Sequence, residues 1–409
     1  MKHETKILHT PYAKPDAYNA LSMPVYHSAA FEFDSAEEME LAFNGKSTNH
    51  TYSRITNPTV QYFEDRVKAI TGAHSVTALN SGMAAIANAI ITLSKTGSNI
   101  ITSRHLFGNT YSLFTSTLAA FGIETRFCDM TVPGSVDAQI SRDTCAVFLE
   151  IITNPQMEVA DLQAISQVCK SKNVPLIADT TLIPFCAFKA KDFGIDIEIV
   201  SSTKYISGGA TSLGGLIIDY GTYNWMKSPK LLSFAKEHGN NAFTVKLRKE
   251  IHRNLGAYMT PHVAYMQTLG LETMSLRYGK MSQSCYQLAE KVEKLPQVQC
   301  VNYPTLGENK FADVSRRQFG NYPGAMFTLD LESREACFRF LNKLKLIKRA
   351  TNLFDNKSLA IHPASTIFGT FTPEARAIMR IMDTTIRISV GLENVEDLVA
   401  DIKQALENE

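Results

Sequence analysis

The sequence is short of the features that would mark a secreted, membrane-bound or nucleic-acid-binding protein. It has seven cysteines, Cys128, Cys145, Cys169, Cys186, Cys285, Cys300 and Cys337, scattered, odd in number and never spaced C-x-x-C. That pattern argues against a disulfide framework or a structural zinc site and for a reducing cytoplasm. The first residues, MKHETKILHT, lack the apolar core of a secretory signal. No uninterrupted apolar run approaches the length of a membrane span. Neither charge dominates: 41 basic side chains face 40 acidic ones, a formal net charge of +1, which leaves no footprint for nucleic acid or an acidic membrane. What remains is a globular composition, 44% hydrophobic and 20% charged, over 409 residues, enough for more than one domain with ample core.

The pattern along the chain divides in three. Residues 1–49 carry few strand signals and read as an extended arm with a short helix at SAEEMELAF. Residues 50–245 alternate. SVTALN, NIITS, ETRFC, CAVFLEII, VPLIAD, IEIVSS and GGLIID read as strands; SGMAAIANAIITLSK, TYSLFTSTLAAFG and DLQAISQVCKSKN read as helices, the last with Asp161 as N-cap. Short apolar runs separated by helices indicate buried, mostly parallel strands in an α/β layer architecture. Residues 246–409 change style, with a long helical region at 256–295, strands at GAMFTLDL and IRISVGL, and helices at REACFRFLNKLKL and VEDLVADIKQALE, the last capped by Asn394. They read as a smaller α+β domain.

Three stretches could carry chemistry. NSGMAAI (80–86) is a strand-to-helix turn in which Gly82 lets the backbone approach a ligand and the free N–H groups suit a phosphate. Without a ligand it is simply a tight turn. Asp179 closes the buried strand VPLIAD, where open α/β sheets place their ligands; it could equally be a cap. SSTKYISGGATSLGG (201–215) sets Lys204 after three hydroxyl residues and before a glycine-rich run. Ser201 to Lys204 fits the S-x-x-K of serine acyl-enzymes, but no S-D-N occurs and the only K-T-G, at 95–97, precedes it. A dinucleotide-binding oxidoreductase is disfavoured too, because no G-x-G-x-x-G follows a strand.

A single reading accounts for all three stretches. A helix N-terminus and hydroxyls for a phosphate, a lysine beside them and a buried aspartate make a pyridoxal-phosphate (PLP) site. In such a site the lysine binds the cofactor covalently, the aspartate pairs with its ring nitrogen, and the ring withdraws electrons. His105 and His362 have no third residue at metal spacing, so no metal is expected.

In this order the motifs resemble the Cys/Met-metabolism group of fold-type I PLP enzymes, nearly end to end. TYSRITNPT (51–59) is similar to the family's Y-S-R-x-x-N-P-T, which implies that Tyr52 and Arg54 reach the cofactor phosphate of a neighbouring subunit. NSGMAAI is similar to its phosphate turn, giving Ser81, Gly82 and Met83. EIITNP (150–155) resembles E-x-x-x-N-P and places Asn154 near the cofactor's phenolic oxygen. The resemblance makes Asp179 the ring-nitrogen partner, Ser201 and Thr203 phosphate hydroxyls, Lys204 the catalytic lysine and Arg387, in IRISVGLE, the residue that grips the substrate carboxylate. Because sites in this family combine two chains, it also implies a homodimer, commonly paired into a tetramer.

Within the family, GGATSLGGLIID (208–219) and NLFDNKSLAIHPAST (352–366) resemble the O-acetylhomoserine sulfhydrylases. Asn352 stands where lyases and synthases usually have a serine near the substrate carboxylate. Ala210 replaces a histidine-glycine pair and leaves that segment one residue short. At HLFGNT, Phe107 stands where the family places a tyrosine over the ring; it can stack but has no proton to give. That favours a substrate whose leaving group departs easily. The implied reaction is replacement of the acetate of O-acetyl-L-homoserine by sulfide or a small thiol. The alternatives are a γ-lyase acting on cystathionine or methionine, and a cystathionine γ-synthase.

Overall fold

The computed structural model describes residues 2–11 and 16–407. Residues 1 and 12–15 of the expected arm lie outside the described residues. Twelve strands occur among those described: β1 (Ser75–Leu79), β2 (Asn99–Thr102), β3 (Glu124–Phe127), β4 (Thr144–Glu150), β5 (Leu176–Asp179), β6 (Ile197–Val200), β7 (Gly215–Asp219), β8 (Cys300–Asn302), β9 (Met326–Asp330), β10 (Lys348–Arg349), β11 (Leu359–Ile361) and β12 (Thr385–Ser389). The chain forms two compact units. One comprises Met1–Ser94, Asp196–Ser207 and Thr211–Glu272; the other comprises Lys95–Ile195, Gly208–Ala210 and Thr273–Glu409.

In the first unit β7 lies between β1 and β6 and runs antiparallel to both. The register pairs Leu79 with Gly215 and Val200 with Leu216. The carboxyl ends of β1 and β6 therefore meet at the amino end of β7. This brings the turn after β1 beside the residues after β6, which are far apart in sequence. All three strands are buried apart from Ser75 and mostly apolar, with Thr77, Glu198 and Asp219 as buried polar exceptions, as expected of strands covered on both faces.

The helix Gly82–Leu93 begins at Ser81, whose extended backbone and hydroxyl, accepting from the Ala84 N–H at 3.1 Å, form an N-cap worth about 1 kcal/mol. The helix Pro58–Thr71 has a sharper start. Asn57 caps it through the Thr59 N–H, Pro58 sets its first turn, and Gly72 ends it at φ 66°. The arm holds the expected helix, Ala36–Phe43, and also a helix His3–His9 that the polar sequence conceals. Buried Arg66 fastens that second helix: its Nε donates to the Ile7 carbonyl at 2.6 Å while its Nη1 pairs with Glu272 at 3.0 Å.

In the second unit β5, β4, β2 and β3 lie side by side, all parallel. A separate five-stranded sheet has the order β10-β11-β12-β9-β8, antiparallel except between β10 and β11. Asp161 and Asn394 cap the helices Leu162–Lys172 and Val395–Leu406. The stretch TYSLFTSTLAAFG is not one regular helix. Gly108–Ser112 is α-helical, Leu113–Leu118 widens into a π turn and Ala119–Phe121 tightens before Gly122. Buried Asp401 accepts from the N–H groups of Lys345, Leu346 and Ile347, each at 2.9 Å, and so holds the turn leading into β10.

Candidate active site

The first unit assembles the small residues. Gly82 opens its helix against Ser201: a Cβ built on Gly82 would lie 2.8 Å from the Ser201 Cβ and 3.1 Å from its hydroxyl. Gly215 faces the same turn, and a Cβ there would lie 2.1 Å from the Ser81 carbonyl oxygen. Both positions exclude any larger residue, because the neighbours are backbone or a short side chain. The Ser201 hydroxyl thus stands beside the first turn of a helix whose N-terminus, at Gly82 and Met83, carries a partial positive charge.

The segment after β6 is a compact turn. Lys204 N–H donates to the Ser201 carbonyl at 3.2 Å. Thr203 Oγ1 donates to the Gly214 carbonyl at 3.2 Å and accepts from the Gly214 N–H at 3.0 Å. These bonds fix the backbone that carries Lys204. Downstream, Ser207 Oγ accepts from the N–H groups of Thr211 and Ser212 at 3.2 and 3.3 Å. Ala210, exposed on that loop, has φ 54°, the left-handed region glycine adopts freely. Tyr52 and Arg54 precede the helix Pro58–Thr71. The Arg54 guanidinium donates to the Arg253 carbonyl at 2.5 Å and sits 5.5 Å from the centre of the Tyr52 ring. Tyr52 is 42% exposed, so its ring is presented outward.

The second unit assembles the charged residues. Glu150 and Asp179 end β4 and β5 and stand opposite each other in register. Asp179 Oδ1 accepts from the Thr181 N–H at 2.9 Å. Glu150 is buried; its two oxygens accept from the N–H groups of Phe107 at 2.7 Å and Asn154 at 3.3 Å. Burial, then the neighbouring Asp179 charge, push the Glu150 carboxyl up to about 8, so it is mostly uncharged at neutral pH. Phe107 opens the helix Gly108–Ser112, where a Cβ on Gly108 would lie 2.6 Å from the Ile367 carbonyl.

Arg387, in the middle of β12, is 2% exposed. Its guanidinium donates to Asn154 Oδ1 at 3.2 Å and to the carbonyls of Thr351 at 3.1 Å and Asn352 at 3.4 Å. Its Nε is buried with no partner, and among the described residues no carboxylate pairs with it. Burial without a counter-ion pushes its pKa down. A buried guanidinium held only by neutral acceptors is costly, and an anionic ligand relieves that cost. Asn352 Nδ2 donates weakly to buried Asp355 at 3.4 Å.

The structure therefore gathers Ser81, Gly82, Met83, Ser201, Thr203 and Lys204 in one unit, with Tyr52 and Arg54 on that same unit. It gathers Phe107, Asn154, Asp179, Asn352 and Arg387 in the other. Sequence reasoning noticed Glu150 only as the first letter of a motif; the burial that gives it a role appears only once the strands are paired. The two histidines have structural partners: His362 bonds Ser365 and the Asp383 carbonyl, and His105 bonds Glu158. Among the described residues no cluster of three or more His, Cys, Asp or Glu could hold a metal, and no helix is long and apolar enough to cross a membrane.

The chain is 35% identical to O-acetyl-L-homoserine sulfhydrylase 1 of Thermus thermophilus, over 99% of this chain and 100% of that one. A solved structure from Campylobacter jejuni, assigned as an O-acetylhomoserine (thiol)-lyase and carrying an N'-pyridoxyl-lysine-5'-monophosphate, superposes with a TM-score of 0.95 at 32% identity, covering 100% of both chains. The structure of O-acetylhomoserine sulfhydrylase from Wolinella succinogenes is 45% identical, with a TM-score of 0.77 over 87% of this chain and 99% of that one. The model of the Cys/Met metabolism PLP-dependent enzymes matches residues 4–407, and the chain belongs to that family.

Proposed function

We propose that this enzyme exchanges the acetate of O-acetyl-L-homoserine for sulfide or a small thiol, releasing homocysteine or methionine. The observation that carries the reading is Arg387: a buried fork of donors with no carboxylate partner among the described residues, held by Asn154 in a plane that suits bidentate recognition of an amino-acid carboxylate. The sulfhydrylases among the relatives support the choice within the family.

The residues present fit PLP. The cradle that a Cβ on Gly82 or Gly215 would fill suits a phosphate at a helix N-terminus. Ser81, Gly82, Met83, Ser201 and Thr203 would hold the phosphate, Tyr52 and Arg54 that of a neighbouring chain. Asp179 would pair with the ring nitrogen, Asn154 with the phenolic oxygen, and Phe107 would cover the ring. When bound, the cofactor supplies an electron sink for charge developing at the substrate α-carbon.

The chain's own groups do the rest. Arg387, with Asn352 beside it, fixes the substrate carboxylate and so aims the α-hydrogen. The Lys204 amine would take the substrate α-proton and return it later in the cycle. Asp179 would hold the proton on the ring nitrogen and so keep the ring electron-poor. Phe107 excludes water but offers no proton, so the leaving group must depart unaided; acetate does so more readily than a thiolate. The enzyme acts as a homodimer or a tetramer of paired dimers, completed by Tyr52 and Arg54 from the neighbouring chain, in the cytoplasm.

Lys204→Ala tests the assignment. The variant should show no turnover and no covalent cofactor mass after borohydride reduction, whereas the parent shows both. Substantial turnover in the variant would sink the scheme.

A further inference from the structure

We propose that Glu150 is a positioning residue of this site: seated at the end of β4 beside Asp179, its carboxyl group sets where Phe107 and Asn154 stand. The inference rests on the PLP reading above and deepens it. One side chain accepts from the backbone of both residues. Phe107 is held at 2.7 Å and Asn154 at 3.3 Å. Asn154 in turn accepts from Arg387 at 3.2 Å. A continuous chain of bonds thus runs from the residue over the ring, through Glu150, to the residue that binds the substrate carboxylate.

The alternative is that Glu150 caps two stray N–H groups. Its surroundings argue otherwise. It is 7% exposed, among the described residues no cation balances it, and its neighbour across the strands is another carboxylate. A buried acid in that position is costly unless it is uncharged. Uncharged, it still has a carbonyl oxygen to accept the short bond from Phe107, and it leaves Asp179 as the group that faces the ring nitrogen with negative charge. An amide has the same shape and keeps one carbonyl acceptor for the short bond from Phe107, giving up only the longer bond from Asn154, whereas an aliphatic side chain has neither oxygen.

The test uses the PLP-loaded full-length enzyme and three variants, Glu150→Gln, Glu150→Asp and Glu150→Leu. The readouts are PLP affinity, the visible absorbance of the bound cofactor between pH 6 and 10, and kcat and KM for O-acetyl-L-homoserine with sulfide. Glu150→Gln should stay within about threefold of the parent in PLP affinity and kcat/KM, because it keeps the neutrality and the short bond from Phe107 and loses only the longer one from Asn154. Glu150→Leu should lose at least about tenfold in both, with a shifted absorbance band. Should it fail to fold, Glu150→Asp, one methylene too short to reach Phe107, should show the same losses. Two results would overturn the proposal: Leu and Asp variants within about twofold of the parent, or a Gln variant as impaired as Leu. PLP affinity and absorbance report on Glu150 even if the parent does not turn over acetylhomoserine, so failure of the substrate reading is distinguishable.

Discussion

Arg387 donates to the side-chain oxygen of Asn154 at 3.2 Å, joining residues 233 positions apart. The bond fixes the plane of a guanidinium that has no carboxylate partner among the described residues and leaves its Nε unused. A buried charge held only by neutral acceptors costs the folded chain stability, a cost that the proposed substrate carboxylate would offset.

That cost can be measured. Arg387→Leu should lower kcat/KM for the amino-acid substrate by at least about thirtyfold, chiefly through KM, since removing one partner of a buried charge pair costs about 2–5 kcal/mol. Arg387→Lys should recover little, because a point charge does not reproduce the fork. The Leu variant should also resist denaturant at least as well as the parent, because it no longer buries an unpaired charge. A Leu variant with unchanged KM would remove Arg387 from the substrate site.

The glycine cradle makes a separate claim. Gly215→Ala would set a methyl 2.1 Å from the Ser81 carbonyl, where backbone must move. Gly82→Ala would set one 2.8 Å from the Ser201 Cβ. Each should lower PLP affinity by about tenfold or more and destabilise the protein by roughly 1–3 kcal/mol, as overpacking does. Titration of the apoprotein with PLP, together with denaturant melts, reads both effects.

Phe107 should govern which leaving groups are accepted. Phe107→Tyr adds a hydroxyl able to give a proton, so cleavage of cystathionine should rise about tenfold or more relative to the parent. Turnover of acetylhomoserine should change much less. Equal effects on both substrates would mean that proton donation from this position does not limit either reaction.

Glu150 predicts a pH dependence of stability. Its folded-state pKa, about 8, lies above the ordinary 4.5. Between those values the folded state binds more protons than the unfolded one, so stability falls as pH rises from about 4.5 to about 8 and then levels. Glu150→Gln should abolish that fall and gain a few kcal/mol over the parent above about pH 8. Urea midpoints measured from pH 5 to 9 check the slope; parallel curves for the two proteins would show Glu150 to be charged throughout.

Much of the fold is legible in the sequence because its signals are local. Asp161 and Asn394 announce their helices by capping them, and buried strands such as VPLIAD announce themselves as short apolar runs. What escapes depends on contacts distant in sequence. Strands β8, β10 and β11 have only two or three residues each, and their neighbours define them. The direction of β7 is invisible because an antiparallel strand buried on both faces is as uniformly apolar as a parallel one. The π turn at Leu113–Leu118 interrupts a stretch whose composition suits a regular helix. In the site, Lys204, Asp179 and Gly82 draw notice by their position in motifs. Glu150 does not, because its meaning comes from burial and from standing beside Asp179 in a neighbouring strand.

The central claim is γ-replacement rather than elimination. The most direct measurement supplies the PLP-loaded enzyme with O-acetyl-L-homoserine, with and without sulfide, and quantifies homocysteine and 2-oxobutanoate, with cystathionine and methionine as parallel substrates. The account predicts homocysteine only when acetylhomoserine and sulfide are both present. Oxo acid released from cystathionine or methionine, with no gain from sulfide, would contradict it and make the enzyme a lyase.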